Sequence, residues 1–267
     1  MQDIVLTCCR DEVDVIETFI CFYLKMGFDR VYVIDNGSSD GTREAVQQLI
    51  ARNTPLTLME DSRRGYEKHL TENYHNVARD HLIRWLFYLD CDEFIFFENG
   101  FKQYLDSLDY GISRLRIRQR EMYPDIAAVN SKGNFLLSVR AAAQMEDTTK
   151  DITCYHPQAR VFGGKHLIDF PGAVTYQPEN IFIRHYKYRS IAQALKKEKN
   201  RIWAHASYSD KDLEMISAFG VTKSRKWIKY CMRAHRNRTW MNRFDGNVDY
   251  VVDDVLASWA RPFLKDI

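Results

Sequence analysis

The chain lacks the signatures of several large enzyme classes. No G-x-G-x-x-G run follows the first strand-like segment and no G-x-x-x-x-G-K occurs, which counts strongly against dinucleotide dehydrogenases and P-loop kinases. Six cysteines are scattered without a C-x-x-C pair or a His/Cys cluster at zinc spacing, which removes zinc modules and disulfide scaffolds. Most lie inside apolar runs, where a thiol behaves as a small hydrophobe, and a reduced, cytosolic compartment is expected. No uncharged apolar stretch is long enough to span a bilayer. No basic n-region precedes Ile4-Val5-Leu6, so a secretory leader is not expected. Internal repeats and low-complexity segments are also missing.

What is present is a 267-residue chain, 45% hydrophobic and 28% charged, enough for one large domain or one domain with a helical appendage. The first ninety residues alternate between strand and helix signals. Asp3 to Cys8 reads as a buried strand. Asp11 is expected to cap a helix bearing Val13, Ile16, Ile20, Tyr23 and Leu24, ended by Gly27. Arg30 to Asp35 is a second strand. Asn36 to Gly41 is turn chemistry, with Ser39 or Asp40 as cap of a helix through Ile50. Leu56 to Met59 is a third strand, Glu67 to Ile83 a helix, and Trp85 to Leu89 a fourth strand. Strand–helix alternation with short connections implies right-handed crossovers and a parallel, doubly wound α/β sheet. Ligands then bind beyond the carboxyl ends of the strands, where strand order reverses. Those ends carry Cys8-Cys9-Arg10, Asp35-Asn36 and Asp90-Cys91-Asp92.

Asp90 and Asp92 are the residues most suggestive of chemistry. Two carboxylates at i and i+2 beyond a strand make a hard, oxygen-only site suited to Mn²⁺ or Mg²⁺, which leave positions open for substrate phosphates. The competing reading is a solvated acidic turn. Downstream of Glu98, short strand signals (Arg114 to Arg118, Phe135 to Val139, Ala159 to Phe162, Ile181 to Arg184) suggest mixed sheet and loops. Helices are expected after Ser190, over Asp210 to Phe219, Lys223 to Trp240 and Val248 to Trp259.

Four segments carry a family resemblance. Val33 to Thr42 (VIDNGSSDGT) resembles the "DDGSTDGT" segment of family 2 and related GT-A glycosyltransferases. Leu89-Asp90-Cys91-Asp92-Glu93-Phe94 resembles their metal motif in its "D-x-D-E-F" form. Cys9-Arg10-Asp11-Glu12 is similar to the segment after their first strand. His185-Tyr186, with Arg189-Ser190, resembles an "H-Y-x-x-x-S" segment of the branch near family 92.

The resemblance implies a GT-A fold at 1–188, with a nucleotide-sugar and metal half at 1–98 and an acceptor half at 99–188, followed by a helical extension at 189–267. It implies transfer of a sugar from a nucleoside diphosphate sugar, a UDP-sugar favoured, to a glycan or lipid-linked acceptor, with inversion, in cell-surface polysaccharide synthesis. Asp92 would be the direct Mn²⁺ or Mg²⁺ ligand. Asp90 would touch the ribose or reach the metal through water, and His185 is the further ligand candidate. Asp35 or Asn36 would hold the nucleobase, with Thr7, Arg10 and Glu12 lining the same pocket. Many family members carry Asp at the position of Asn36. The catalytic base is open: Glu121, Asp125, Glu146, Asp147 and Asp169 all lie where such enzymes build the acceptor side, and Glu121, Glu146 and Asp147 are the candidates carried forward, the last two because many relatives use an "E-D" pair.

A sugar-nucleotidyltransferase fits less well, because Cys8 to Glu12 has no glycine for a triphosphate loop. A non-catalytic nucleotide-sugar binder is the third reading. The segment 221–240 carries seven basic residues and no acidic one. A solvated helix face, or a peripheral contact of 223–240 with anionic lipid at the inner membrane face, accounts for it better than nucleic acid does.

Overall fold

The computed structural model describes residues 1–63, 69–78, 82–123, 135–139, 141–143, 148–187, 189, 193, 196–197, 200, 250–253 and 255–261. The chain forms two compact units, one of residues 1–118 and 148–183, the other of 119–147 and 184–267.

In the first unit, β1 (Gln2–Cys9), β2 (Arg30–Asp35), β3 (Leu56–Glu60) and β4 (Ile83–Leu89) are parallel, in the order β3-β2-β1-β4. Strand order therefore reverses between β1 and β4, and the crevice beyond their carboxyl ends is the switch point of the sheet. β8 (Thr149–Cys154) runs antiparallel to β4, and β6 (Arg114–Tyr123) antiparallel to β8. The mixed α/β class expected from the sequence is thus observed.

Both faces of the sheet are covered, which is why Ile4 to Leu6 of β1 and Trp85 to Leu89 of β4 read as apolar runs rather than alternating ones. On one face, α1 (Ile16–Lys25) and α4 (Phe101–Asp106) bring Phe19, Phe22, Tyr23 and Phe101 against Phe28, Phe87 and Phe94. Phe28 stacks on Phe101 with ring centroids 4.6 Å apart. Each such phenylalanine, buried from water, contributes roughly 1.5–3 kcal/mol. On the other face, α3 (Leu70–Asn76) and the hairpin β9 (Arg160–Phe162) and β10 (Leu167–Asp169) cover Ile4, Leu6, Ile34, Leu86 and Tyr88. The helix α2 (Thr42–Ala51) follows β2, and two short strands, β5 (Glu93–Ile95) and β11 (Thr175–Tyr176), complete the elements used below.

The second unit takes in the far end of β6, where Met122 and Tyr123 pair with β7 (Ala141–Ala143), and β13 (Tyr250–Val252) pairs with β7. The short helices α5 (Phe135–Ser138) and α6 (Val255–Ala260) pack together. Buried Asp253 joins Arg120 at 3.3 Å and Arg184, on β12 (Phe182–His185), at 2.9 Å.

Several expectations are corrected. Asp11 does not cap α1, which starts at Ile16; it sits at φ 54° and accepts the Ser39 N–H at 2.6 Å. The helix expected over Glu67 to Ile83 is only Leu70–Asn76, and Ile83 opens β4. Phe135 to Val139 is helical rather than extended, since four apolar residues carry no period of their own. Val248 to Trp259 divides into β13 and α6. The helices expected over 210–219 and 223–240 lie outside the described residues. Among the described residues, no helix is long and apolar enough to cross a membrane.

Candidate donor site at the sheet switch point

The turn after β4 explains the whole D-x-D-E-F run. The Glu93 N–H donates to the Asp90 carbonyl at 3.0 Å, and the Asp90 N–H donates back to the Glu93 carboxylate at 2.8 Å. Tyr23 Oη donates to the Glu93 carbonyl at 2.9 Å and accepts the Ile95 N–H at 3.1 Å. Phe94 is wholly buried beside Phe19, Phe22 and Tyr23. Glu93 and Phe94 therefore hold the turn to the core, and Asp90 is the carboxylate it exposes.

Asp90 is about one-third exposed at its side chain, whereas Asp92 is buried. Two lysines that the sequence reading passed over lie at this turn. Lys150 Nζ is 3.3 Å from Asp90 Oδ2 and also donates to the Glu93 carboxylate. Lys165 Nζ pairs with Asp90 Oδ1 and sits 5.3 Å from the centre of the Tyr88 ring. Both lysines are fully buried. Burial pushes the Asp90 carboxyl up, but the two ammonium groups outweigh it and hold the acid well below the usual carboxylate range.

The fold delivers each lysine by a separate route. In the β4–β8 register, Trp85 pairs with Cys154 and Leu86 with Thr153; extended by three residues, it sets Lys150 level with Leu89, beside Asp90. Lys165 lies in the β9–β10 loop, where Gly163, Gly164 and Lys165 all have positive φ, at 55°, 64° and 76°. A lysine there carries strain of roughly 1–2 kcal/mol that a glycine would not. The loop is fastened to β8: the Asp151 N–H donates to the His166 carbonyl at 2.9 Å, and the Ile168 N–H to Asp151 Oδ2 at 3.2 Å.

Beside this turn, the ends of β1, β2 and β3 interlock. Asn36, 4% exposed, receives a bond to its carbonyl from Arg10 at 2.9 Å. Its side-chain amide donates to the main-chain carbonyls of Asp61 and Arg63, the latter at 3.2 Å. Asp35 accepts the Ser38 N–H at 3.2 and 3.3 Å. The Glu12 N–H donates to Thr42 Oγ1 at 2.8 Å, tying β1 to the start of α2. Thr7 is fully buried and its hydroxyl makes no hydrogen bond, a cost of roughly 1–3 kcal/mol in the absence of a partner. Asp61 was not singled out from the sequence. It accepts from Arg63 at 2.7 and 2.9 Å and from Asn73 at 3.3 Å, and the Arg63 bonds hold its carboxyl below the ordinary value. Thr7, Arg10, Glu12, Asp35, Asn36, Asp90 and Asp92 thus all belong to the first unit.

His185 belongs to the second unit, where its Nδ1 lies 2.6 Å from Glu121 Oε1. Glu146 and Asp147 fall outside the described residues, as does 223–240. Among the described residues, no three His, Cys, Asp or Glu side chains group as a complete metal cage. A divalent cation held by one or two carboxylates together with substrate phosphates needs no such cage, and the hard carboxylate of Asp92 fits that use. Asp90 fits it poorly, because an ammonium stands at each of its oxygens.

Neither the protein-family models nor the curated proteins contain a match to this chain. Among solved structures, Staphylococcus aureus TarS 1–349 is 13% identical, with a TM-score of 0.42, over 91% of this chain and 78% of that one. A mannosyltransferase, PcManGT from Pyrobaculum calidifontis in complex with GDP-Man and Mn²⁺, is 12% identical, with a TM-score of 0.43, over 98% and 87%. GalNAc-T7 with UDP, GalNAc and Mn²⁺ is 12% identical, with a TM-score of 0.40, over 88% and 58%. At these values the likenesses are loose, and the functional reading rests on the residues of this chain.

Proposed function

We propose that the protein is a glycosyltransferase that takes its sugar from a nucleoside diphosphate sugar, a uridine diphosphate sugar favoured. The observation that carries this reading is the D-x-D-E-F turn. It places Asp90 and Asp92 at the carboxyl end of β4, beside β1, where strand order reverses. The interlocked ends of β1, β2 and β3 supply the nucleoside side of the crevice, with Asp35, Arg10 and the buried Thr7 hydroxyl as its polar groups.

In this reading Asp92 would hold a divalent cation, Mn²⁺ or Mg²⁺, which would stabilise the negative charge that the leaving nucleoside diphosphate develops. Asp90, fixed and ionised, accepts a hydrogen bond from a hydroxyl of the donor. The acceptor is a glycan or a lipid-linked saccharide, and transfer proceeds with inversion. That outcome needs a carboxylate base within hydrogen-bond reach of the acceptor hydroxyl. Glu121 is already engaged with His185, which favours Glu146 or Asp147 for the task.

Thermal melting with UDP, GDP, CDP and dTDP, each with and without Mn²⁺, tests the proposal. A ligand that binds the native state raises the midpoint by mass action. The expected result is a metal-dependent shift for one diphosphate that disappears in Asp92→Ala, while the variant still melts cooperatively. No shift with any diphosphate would refute a nucleotide-sugar site.

A further inference from the structure

Lys150 and Lys165 are fully buried, yet both end on an acidic turn whose exposed member is Asp90. Lys150 by itself spans Asp90 and Glu93. Lys165 adds a second ammonium at the Asp90 oxygen that Lys150 does not touch, and it does so from a left-handed backbone position that suits glycine or asparagine better. Strain kept at such a point marks a placement that the surrounding structure enforces.

We infer that Lys150 and Lys165 are positioning residues of the donor site, which withhold Asp90 from divalent cations. The inference rests on the glycosyltransferase reading and refines it. With Asp90 withheld, Asp92 would be the carboxylate left to hold a cation, which would then need the nucleotide's phosphates to bind and would not bind before it. Asp90 is left as a fixed acceptor for a donor hydroxyl. Direct ligation through Asp90 would require a buried ammonium to leave its carboxylate, which strands two charges away from water. A pairing whose carboxylate no cation can reach would leave the cation affinity of the turn unchanged when Lys165 is neutralised.

Binding of Mn²⁺ to the full chain, read from the electron paramagnetic resonance signal of the free aqueous ion, separates the two. The wild type is expected to take up no Mn²⁺ alone and to take it up when UDP or GDP is added. Lys165→Asn keeps a residue tolerant of positive φ and removes the charge; it should bind Mn²⁺ without nucleotide, with affinity raised about tenfold or more by loss of the adjacent cation. Adding Asp90→Asn to that variant should abolish the gain, and Lys165→Arg should behave as wild type. If Lys165→Asn does not melt cooperatively, Lys165→Gly, which relieves the backbone, takes its place. Nucleotide-free Mn²⁺ binding by the wild type that Asp90→Asn abolishes would overturn the inference. So would an unchanged Mn²⁺ affinity in Lys165→Asn while UDP or GDP still binds. Absence of binding of UDP, GDP, CDP and dTDP alike to the wild type would instead bring down the transferase reading, and the inference with it.

Discussion

Replacing Asn36 by Asp, the residue common at this place in the glycosyltransferases the segment resembles, should destabilise this protein. The Asn36 amide donates to two main-chain carbonyls, those of Asp61 and Arg63, at a site only 4% exposed. A carboxylate has no hydrogen to donate and would face two carbonyl oxygens. Losing two net hydrogen bonds costs about 1–3 kcal/mol. Protonating the buried acid in preference to burying its charge adds about 1.4 kcal/mol per unit by which its pKa rises. The sum is about 2–4 kcal/mol, a fall in Tm of roughly 5–15 °C for a chain of this size. The deficit should also depend on pH. The folded-state pKa of the new acid lies above its unfolded value of about 4, so its contribution is least unfavourable below that value and worsens as pH rises through the folded pKa. Urea unfolding of both proteins at pH 5 and pH 8 reads this directly. A variant within about 0.5 kcal/mol of wild type at pH 8, or a deficit that grows on acidification, would refute the argument.

Three further outcomes are expected. Tyr23→Phe removes a hydroxyl that serves the Glu93 carbonyl and the Ile95 N–H, and should cost about 1–3 kcal/mol in urea unfolding. Arg63→Ala releases an Asp61 carboxyl that is held low and so stabilises the fold above its unfolded pKa; the acid-unfolding midpoint should move to higher pH, and no movement would contradict the pairing. Burial pushes the Cys8 thiol up to about 12 and that of Cys154 up to about 11, so both should react slowly with a disulfide reagent at pH 8 in the native protein. Labelling of Cys8 at the rate of a free thiol would disprove its burial.

Local signals located the switch point. β1, β2 and β4 are buried on both faces, so they carry apolar runs such as Ile4 to Leu6 and Trp85 to Leu89, and Asp35 and Asp90 mark where β2 ends and where the chain leaves β4. Gly27, at φ 94°, ends α1 as its position after an amphipathic run suggests. Short segments were harder, because three or four apolar residues such as Phe135 to Ser138 fit a helix or a strand equally well until neighbours decide.

By itself, then, the sequence determined the α/β class, the strands that meet at the crevice and the carboxylates at their ends, because these follow from local periodicity and from what may be buried. Only the tertiary structure decided what those groups face. A lysine in a strand or after two glycines reads as solvated, and its burial depends on a carboxylate sixty residues away, as for Lys150 and Asp90. The same holds for Asn36, whose amide is committed to a loop 25 residues downstream, and for His185, which meets Glu121 across 64 residues. Charge pairing and hydrogen bonding act through space, and the partners that give such residues their roles are chosen by the fold.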